Sequence, residues 1–255
     1  VALTPVWSAA SLIAAALAVS RVSLYMDLER PLSPEELTAI RALVQRRRSR
    51  EPMAYILGER EFYGRAFLVS PAVLIPRPDT ETLVERALAI AKEGGTKRLL
   101  DLCTGSGAIG LTLAAELPEV EALLTDISPE ALQVAEENAE RLGLRARVSF
   151  AEGDLFTAIG EAEGFDLILC NPPYLAEGEK EGLSPDVRDF EPAQALFAPE
   201  EGLAFYTRLA EESAPWLSAQ GRMLLEVGAG QAAEVAKRFE ASGAFAAKGL
   251  HCDLG

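Results

Sequence analysis

Histidine is almost absent from this 255-residue chain: His251 is the only one. A Ser-His-Asp triad would have to use it and nothing around it supports one, while a zinc site built on several imidazoles is excluded. Cysteine is scarce as well. Cys103, Cys170 and Cys252 are widely spaced with no CxxC pair, so neither a disulfide framework nor a metal cluster is expected, and a reducing cytoplasm fits. Long apolar runs are missing. The Ala-rich stretch Ala9–Val19 lacks a charged leader, is interrupted by Ser11 and is too short to span a bilayer, so it is read as a buried helix with no membrane attachment. Positive charge is outnumbered, with 24 Lys and Arg against 39 Asp and Glu and a net charge of −15. That balance argues against sequence-blind nucleic-acid binding, which needs a cationic surface to displace counterions from phosphates, although it leaves room for a local basic patch. Asparagine occurs twice, at 138 and 171, and Arg far outnumbers Lys; a thermophilic source or a GC-rich genome gives such a bias.

What remains is an ordinary soluble composition, 49% hydrophobic and 25% charged, enough to bury a sizeable core. Residues 1–60 read as a small helical domain. Its clearest helix starts at Pro34, with Ser33 as N-cap and Glu36 placed for a capping box, and runs through Leu37, Ile40 and Leu43. It ends in Arg46-Arg47-Arg48 and Arg50, which suits either a solvated helix C-terminus or a docking patch for an acidic partner or RNA. Ile56-Leu57-Gly58 and Glu61–Val69 suggest a β-hairpin turning near Gly64, and Pro71, Pro76 and Pro78 follow, so residues 61–78 are read as hairpin and linker. Residues 79–255 alternate helices and strands. Helices are expected from Asp79, over 107–116, 129–142, 203–217 and 231–239. Strands are expected over 98–102, 122–126, 148–150, 165–170 and 222–227. The order predicts an α/β fold: an open, mostly parallel sheet with helices on both faces and ligands at the carboxyl ends of its strands.

Two motifs fall at such strand ends. Asp101-Leu102-Cys103-Thr104-Gly105-Ser106-Gly107 leaves a strand and opens a helix, and Gly105 to Gly110 matches GxGxxG with Asp126 at the next strand end. A dinucleotide or S-adenosylmethionine fits this pattern. Asp101 favours the second, because a carboxylate there repels a pyrophosphate but suits an ammonium group. Asp126 can accept ribose hydroxyls in either ligand. Asp154, with Leu155 or Phe156, stands where an adenine would lie, although Asp154 also suits a turn cap. The second motif is Asn171-Pro172-Pro173-Tyr174, after the apolar strand ending at Cys170. An amide or amino nitrogen has a delocalised lone pair, so methylating it requires both N–H bonds to be held. Asn171 Oδ1 can accept one and the Pro172 carbonyl the other, with Pro173 stiffening the turn and Tyr174 offering an aromatic face.

These stretches resemble the class I (Rossmann-like) amino-methyltransferases. Glu51–Gly58, Glu61-Phe62-Tyr63-Gly64 and Leu74-Ile75-Pro76-Arg77-Pro78-Asp79-Thr80-Glu81 narrow the likeness to the HemK/PrmC family, and Leu225–Gly228 with Gln231 suits its late strand. The resemblance implies methyl transfer from S-adenosylmethionine, leaving S-adenosylhomocysteine, to the glutamine side chain of the Gly-Gly-Gln motif in peptide chain release factors, the product being N5-methylglutamine. It implies cofactor contacts from Cys103 to Gly107, at Asp126, and at Asp154 and Leu155. Asn171 and Pro172 would hold the amide, with Tyr174 packed on it and Arg77 either touching substrate or forming a structural ion pair. A cytoplasmic monomer that docks a release factor through its helical domain, with no stable nucleic-acid partner, is expected. The chain stops at Asp253-Leu254-Gly255 where the resemblance implies a further strand, so a truncated or disordered C-terminus is expected. The chemistry leaves an adenine-N6 methyltransferase acting on DNA or RNA as the alternative, since an exocyclic amine is also a planar nitrogen.

Overall fold

The computed structural model describes residues 5–27, 29–160, 164–246 and 249–251; Cys252 and the terminal Asp253-Leu254-Gly255 lie outside the described residues. Four helices come first: α1 (Pro5–Ala16), α2 (Arg21–Met26), α3 (Pro34–Arg48) and α4 (Met53–Leu57). The single helix expected over Ala9–Val19 ends at Ala16 instead. Just beyond the stretch Ser20 caps a new helix by accepting from the Ser23 N–H at 3.1 Å. Ser11, Leu12 and Ala14 of α1 are buried, and α1 packs on α3. The capping box at α3 forms as expected: Glu36 N–H donates to Ser33 Oγ at 3.2 Å, and Ser33 N–H donates to Glu36 Oε2 at 2.9 Å. At the other end Arg46 pairs with Glu51, and Arg47 donates to the Glu51 carbonyl at 2.9 Å, so half of the basic run is engaged locally at the helix C-terminus.

Ile56 and Leu57, expected near a strand, close the short α4 instead. Ala54 and Tyr55 are buried there in an apolar cluster with Val69, Val73, Ile75 and Ala131, too large a payload to hang on an exposed hairpin edge, and Ile56 is buried as well. The hairpin itself is β1 (Glu59–Phe62) and β2 (Arg65–Leu68), antiparallel, with Tyr63-Gly64 between them.

The remaining strands are β3 (Arg98–Leu102), β4 (Glu121–Asp126), β5 (Val148–Glu152), β6 (Phe165–Cys170) and β7 (Leu217–Leu225). They make one parallel sheet in the order β5-β4-β3-β6-β7. Alternation along the strands separates two cores. Leu99, Leu124, Leu167 and Leu169 face α5 (Glu81–Gly94), α6 (Ala108–Glu116) and α7 (Pro129–Arg141). Leu100, Leu102, Ile168 and Cys170 face Leu209 of α9 (Ala204–Glu212) and Phe239 of α10 (Ala232–Ala241). Each fully buried leucine contributes about 1.5–3 kcal/mol, so the central strands carry much of the stability. The helix expected to reach Leu217 stops at Glu212, and Pro215 sits in a 3-10 turn over Ala214–Trp216. The strand expected over 222–227 accordingly starts earlier, at Leu217, and ends at Leu225. A short α8 (Pro185–Phe190) lies between β6 and α9.

Candidate active site

The carboxyl ends of β3, β4, β5 and β6 surround a cavity of about 340 Å³. That is within the ordinary range for a small-molecule site, about 300–1,000 Å³. Its wall includes Cys103 to Ser106 from the loop after β3, Asp126 to Ser128 after β4, Gly153 to Leu155 after β5, and Asn171 and Pro173 after β6. The proline linker closes one side with Pro76, Arg77 and Thr80, and the segment after α8 closes another with Pro192, Gln194 and Ala195.

The loops are locked to one another by backbone bonds. Thr104 N–H donates to the Thr125 carbonyl at 2.9 Å and Gly153 N–H to the Asp126 carbonyl at 3.0 Å. Asp126 Oδ2 accepts from Gly105 N–H at 2.9 Å, and Oδ1 accepts from Ser128 N–H at 3.0 Å. A carboxylate offers about four lone-pair directions, so Asp126 keeps acceptors for the cavity. Burial raises its carboxyl above the ordinary value, and the Ser128 and Gly105 N–H groups oppose that. A Cβ built on Gly105 meets nothing within 4 Å, so the loop leaves space beside its backbone. Gly107 has a different duty. Its φ of +80° starts α6, and an added Cβ would stand 2.7 Å from Leu111 Cδ1. Gly107 packs helix on loop and does not line the cavity. Cys103 and Leu155 hold left-handed backbones, at φ 55° and 50°, and both lie in the wall.

Asp101 is not on the cavity surface. It is fully buried, Oδ2 accepting from Thr104 Oγ1 at 2.5 Å and from Gly110 N–H at 2.9 Å, while Oδ1 has no partner. Burial pushes its carboxyl up to about 7 despite these two donors. The direct ammonium contact read from its position is therefore replaced by an anchoring role: Asp101 ties β3, the loop and α6 together behind the wall. The strand end points this side chain into the core, where Gly110 leaves room; a Cβ there would stand 2.9 Å from Asp101 Oδ2. Asp154 does line the cavity, but both its oxygens accept from Arg208 Nη1, at 2.8 and 2.9 Å. Of the two apolar neighbours, Leu155 lies in the wall, whereas Phe156 stacks on Trp216 with centroids 6.1 Å apart.

Asn171 and Pro173 reach the cavity; Pro172 and Tyr174 do not line it. Asn171 Nδ2 lies 3.4 Å from Thr80 Oγ1 as donor, which leaves Oδ1 as the acceptor to offer. Tyr174 is held through its carbonyl by Gln231 Nε2 at 2.9 Å, and its ring packs closely on Gly228. Arg77 forms an ion pair with Glu191 at 2.6 Å, and Glu191 also accepts from the Ile75 N–H at 3.2 Å. Burial raises the Glu191 carboxyl and the Arg77 charge opposes it. This pair joins the proline linker to the segment after α8. Asn138 was missed by the sequence reading. Fully buried, it accepts from Leu68 N–H at 2.7 Å and donates to the carbonyls of Leu68 and Ser106, fastening the hairpin to the glycine loop. Its signal was scarcity, since an amide retained in a chain with two asparagines answers a specific demand.

Carboxylates of Asp126, Asp154 and Glu130 line the cavity, while its one lining guanidinium among the described residues, Arg77, is already paired. A pyrophosphate finds no cationic cradle there, whereas a ligand carrying sulfonium and ammonium charge fits the wall. The fold and this wall define a class I methyltransferase. The comparisons agree: residues 79–186 match the Methyltransferase small domain, and residues 3–58 the PrmC N-terminal domain. The release factor glutamine methyltransferase of Geobacter sulfurreducens is 45% identical over 91% of this chain and 80% of its own length. That of Koribacter versatilis is 44% identical over 88% and 80%. The chain belongs to this HemK/PrmC family. Among solved structures, a Pyrococcus furiosus methyltransferase shares the fold with a TM-score of 0.54 at 18% identity, over 84% of this chain and 92% of that one. The hMettl16 catalytic domain does so at 0.57 and 18%, over 82% and 73%.

Proposed function

We propose that this protein transfers a methyl group from S-adenosylmethionine to the side-chain amide nitrogen of the glutamine in the Gly-Gly-Gln motif of peptide chain release factors. The observation that carries the reading is the placement of Asn171: its amide lies in the wall of the same cavity as the Gly105 loop and Asp126. S-Adenosylmethionine supplies an already activated methyl group, so the chain's work is to hold and orient. Gly105 and its neighbours would take the cofactor against their backbone, Asp126 its ribose hydroxyls, and Asp154 and Leu155 its base. Asn171 Oδ1 would accept one amide N–H of the substrate and the Pro172 carbonyl the other, directing the lone pair at the methyl donor. Pro173 stiffens that turn and Tyr174 packs against the planar amide.

The helical N-terminal region is the proposed docking surface for the release factor, acting as a cytoplasmic monomer. It leaves Val22, Tyr25 and Met26 exposed on α2, an apolar face suited to a protein partner. The test is mass spectrometry of a release factor after incubation with this protein and S-adenosylmethionine. One added methyl on the motif glutamine, absent from a Gln→Ala release factor, is the expected result. Methyl transfer to the Gln→Ala protein, or to DNA without a release factor, would overturn the assignment.

A further inference from the structure

Glu226 stands beside Asn171 at the ends of neighbouring strands. Cys170 and Leu225 are register partners in β6 and β7, and the Glu226 N–H donates to the Cys170 carbonyl at 3.1 Å. The next residue on each strand is therefore Asn171 and Glu226. Thr80 completes the group. It is buried, and its hydroxyl oxygen faces Asn171 Nδ2 at 3.4 Å. A hydroxyl that accepts from an amide has its own proton to give, and the Glu226 carboxylate, which interacts with both Thr80 and Asn171, is there to take it. Glu226 Oε2 is itself buried with no hydrogen-bond partner.

An asparagine amide is nearly symmetric in shape, and the proposed reaction needs it one way round. With Oδ1 toward the substrate N–H it accepts; flipped, it presents a donor to a donor. An ionised carboxylate only accepts, so it tolerates Nδ2 on its side and repels Oδ1. We propose that Glu226, through Thr80, is the positioning residue that fixes the orientation of the Asn171 amide for methyl transfer. This rests on the glutamine-methylation reading above and adds a residue that does not itself touch the substrate. Protonation would cancel the role, because a carboxylic acid both donates and accepts. Burial raises the Glu226 carboxyl above its ordinary value and the Asp79 charge adds to this, while Thr80, Asn171 and the Arg77 guanidinium oppose it. Tyr206, whose hydroxyl donates to the Glu226 carbonyl at 2.9 Å, is a further titratable neighbour, and burial holds its phenol far above the range where it would ionise.

The experiment is steady-state methylation of a release factor by the full chain and by Glu226→Gln, Glu226→Asp, Thr80→Val and Thr80→Ser, across acidic to neutral pH. Cofactor affinity is measured by calorimetry and folding by thermal unfolding. Glu226→Gln is expected to lower kcat by about tenfold or more, with KM and cofactor affinity within about twofold. The parent protein is expected to lose kcat on the acid side as Glu226 takes up a proton, and Glu226→Gln should lack the Glu226-dependent part of that limb. Glu226→Asp should keep that limb. Thr80→Val should lower kcat and Thr80→Ser should retain it, and the Glu226→Gln/Thr80→Val double variant should be no worse than the stronger single, as for residues acting in one chain. If Glu226→Gln does not fold, the Thr80 pair decides. A Glu226→Gln protein with parental kcat and parental acid limb, or a loss appearing wholly in cofactor affinity, would overturn the positioning role alone. A parent protein that leaves the glutamine unmodified would instead overturn the reading on which it rests.

Discussion

The N-terminal helices and the parallel sheet are held together in opposite ways. Helix α3 is 15 residues long and buries none of them, whereas α6 buries every residue from Ala108 to Ala114 and β3 every residue after Arg98. Large apolar side chains left in water gather in the first region, at Val19, Val22, Tyr25, Met26, Leu32 and Val44. The charge differs too: residues 1–60 carry eight arginines against six acidic residues, in a chain of net charge −15. Local devices, the Ser20 and Ser33 caps and the Arg46–Glu51 pair, define the helices. Burial defines the sheet. A region that keeps its apolar and basic groups outside can meet a partner, and a region that buries everything can hold an amide and a loop to within fractions of an ångström.

The largest expected effect is at the sheet end. Asn171→Ala should cost about 2–4 kcal/mol in the barrier for methyl transfer, the magnitude for losing one positioned group, with cofactor affinity nearly unchanged. Single-turnover kinetics and calorimetry together check it, and a weakened cofactor with intact turnover would contradict the role. Next is Gly202→Ala. Its φ of +83° is poorly suited to alanine, and the new methyl would collide with the Tyr174 carbonyl. A loss of about 1–3 kcal/mol in denaturant unfolding is expected, with turnover lowered as Tyr174 shifts.

A subtler effect concerns Asp101. Its carboxyl is raised from 3.8 to about 7, so the folded protein holds a proton that the unfolded chain has released. That contribution to stability is fully present below 3.8 and is lost as pH rises through about 7. Asp101→Asn removes this dependence, so its stability relative to the parent should increase with pH across that window and then level off. Urea unfolding without cofactor at several pH values tests this; a constant difference would show that the carboxyl titrates normally. The smallest expected effect lies in the helical region. Ser33→Ala removes the capping box and should cost about 1 kcal/mol, seen as faster amide exchange in α3 with little change in the global unfolding of the sheet. If the whole molecule loses that stability together, the contrast between the two regions fails.

The elements most legible in the sequence were those with a local cause. The capping box at Ser33 and Glu36, the buried strand Phe165–Cys170 and the glycine loop after β3 all follow from short-range chemistry. Errors arose where distant residues decided. Ile56 looks like strand material and becomes helical within α4, whose Ala54 and Tyr55 pack with residues from the linker and α7. Asp101 looks like a ligand contact because its chain position is right, but the pleat turns it inward onto Thr104 and Gly110. Arg77 had two readings, and its pairing with Glu191, far away in sequence, selected the ion pair.

The sequence by itself therefore determined the class of chemistry. Glycines after an apolar strand, an aspartate at the next strand end and Asn171-Pro172-Pro173 after a third are the pattern behind the proposed cofactor and nitrogen-holding sites, because alternating strands and helices bring successive strand ends to one edge. His251 as the only histidine, and the three separated cysteines, had already removed the common alternatives. Only the tertiary structure decided which of these residues face the cavity and what orients them. The partners of Asn171, Asp101, Asp154 and Tyr174 are Thr80, Gly110, Arg208 and Gln231 respectively, each supplied by another element of the fold. Hydrogen bonds between elements depend on packing angles and strand register, and no local pattern of residues encodes them.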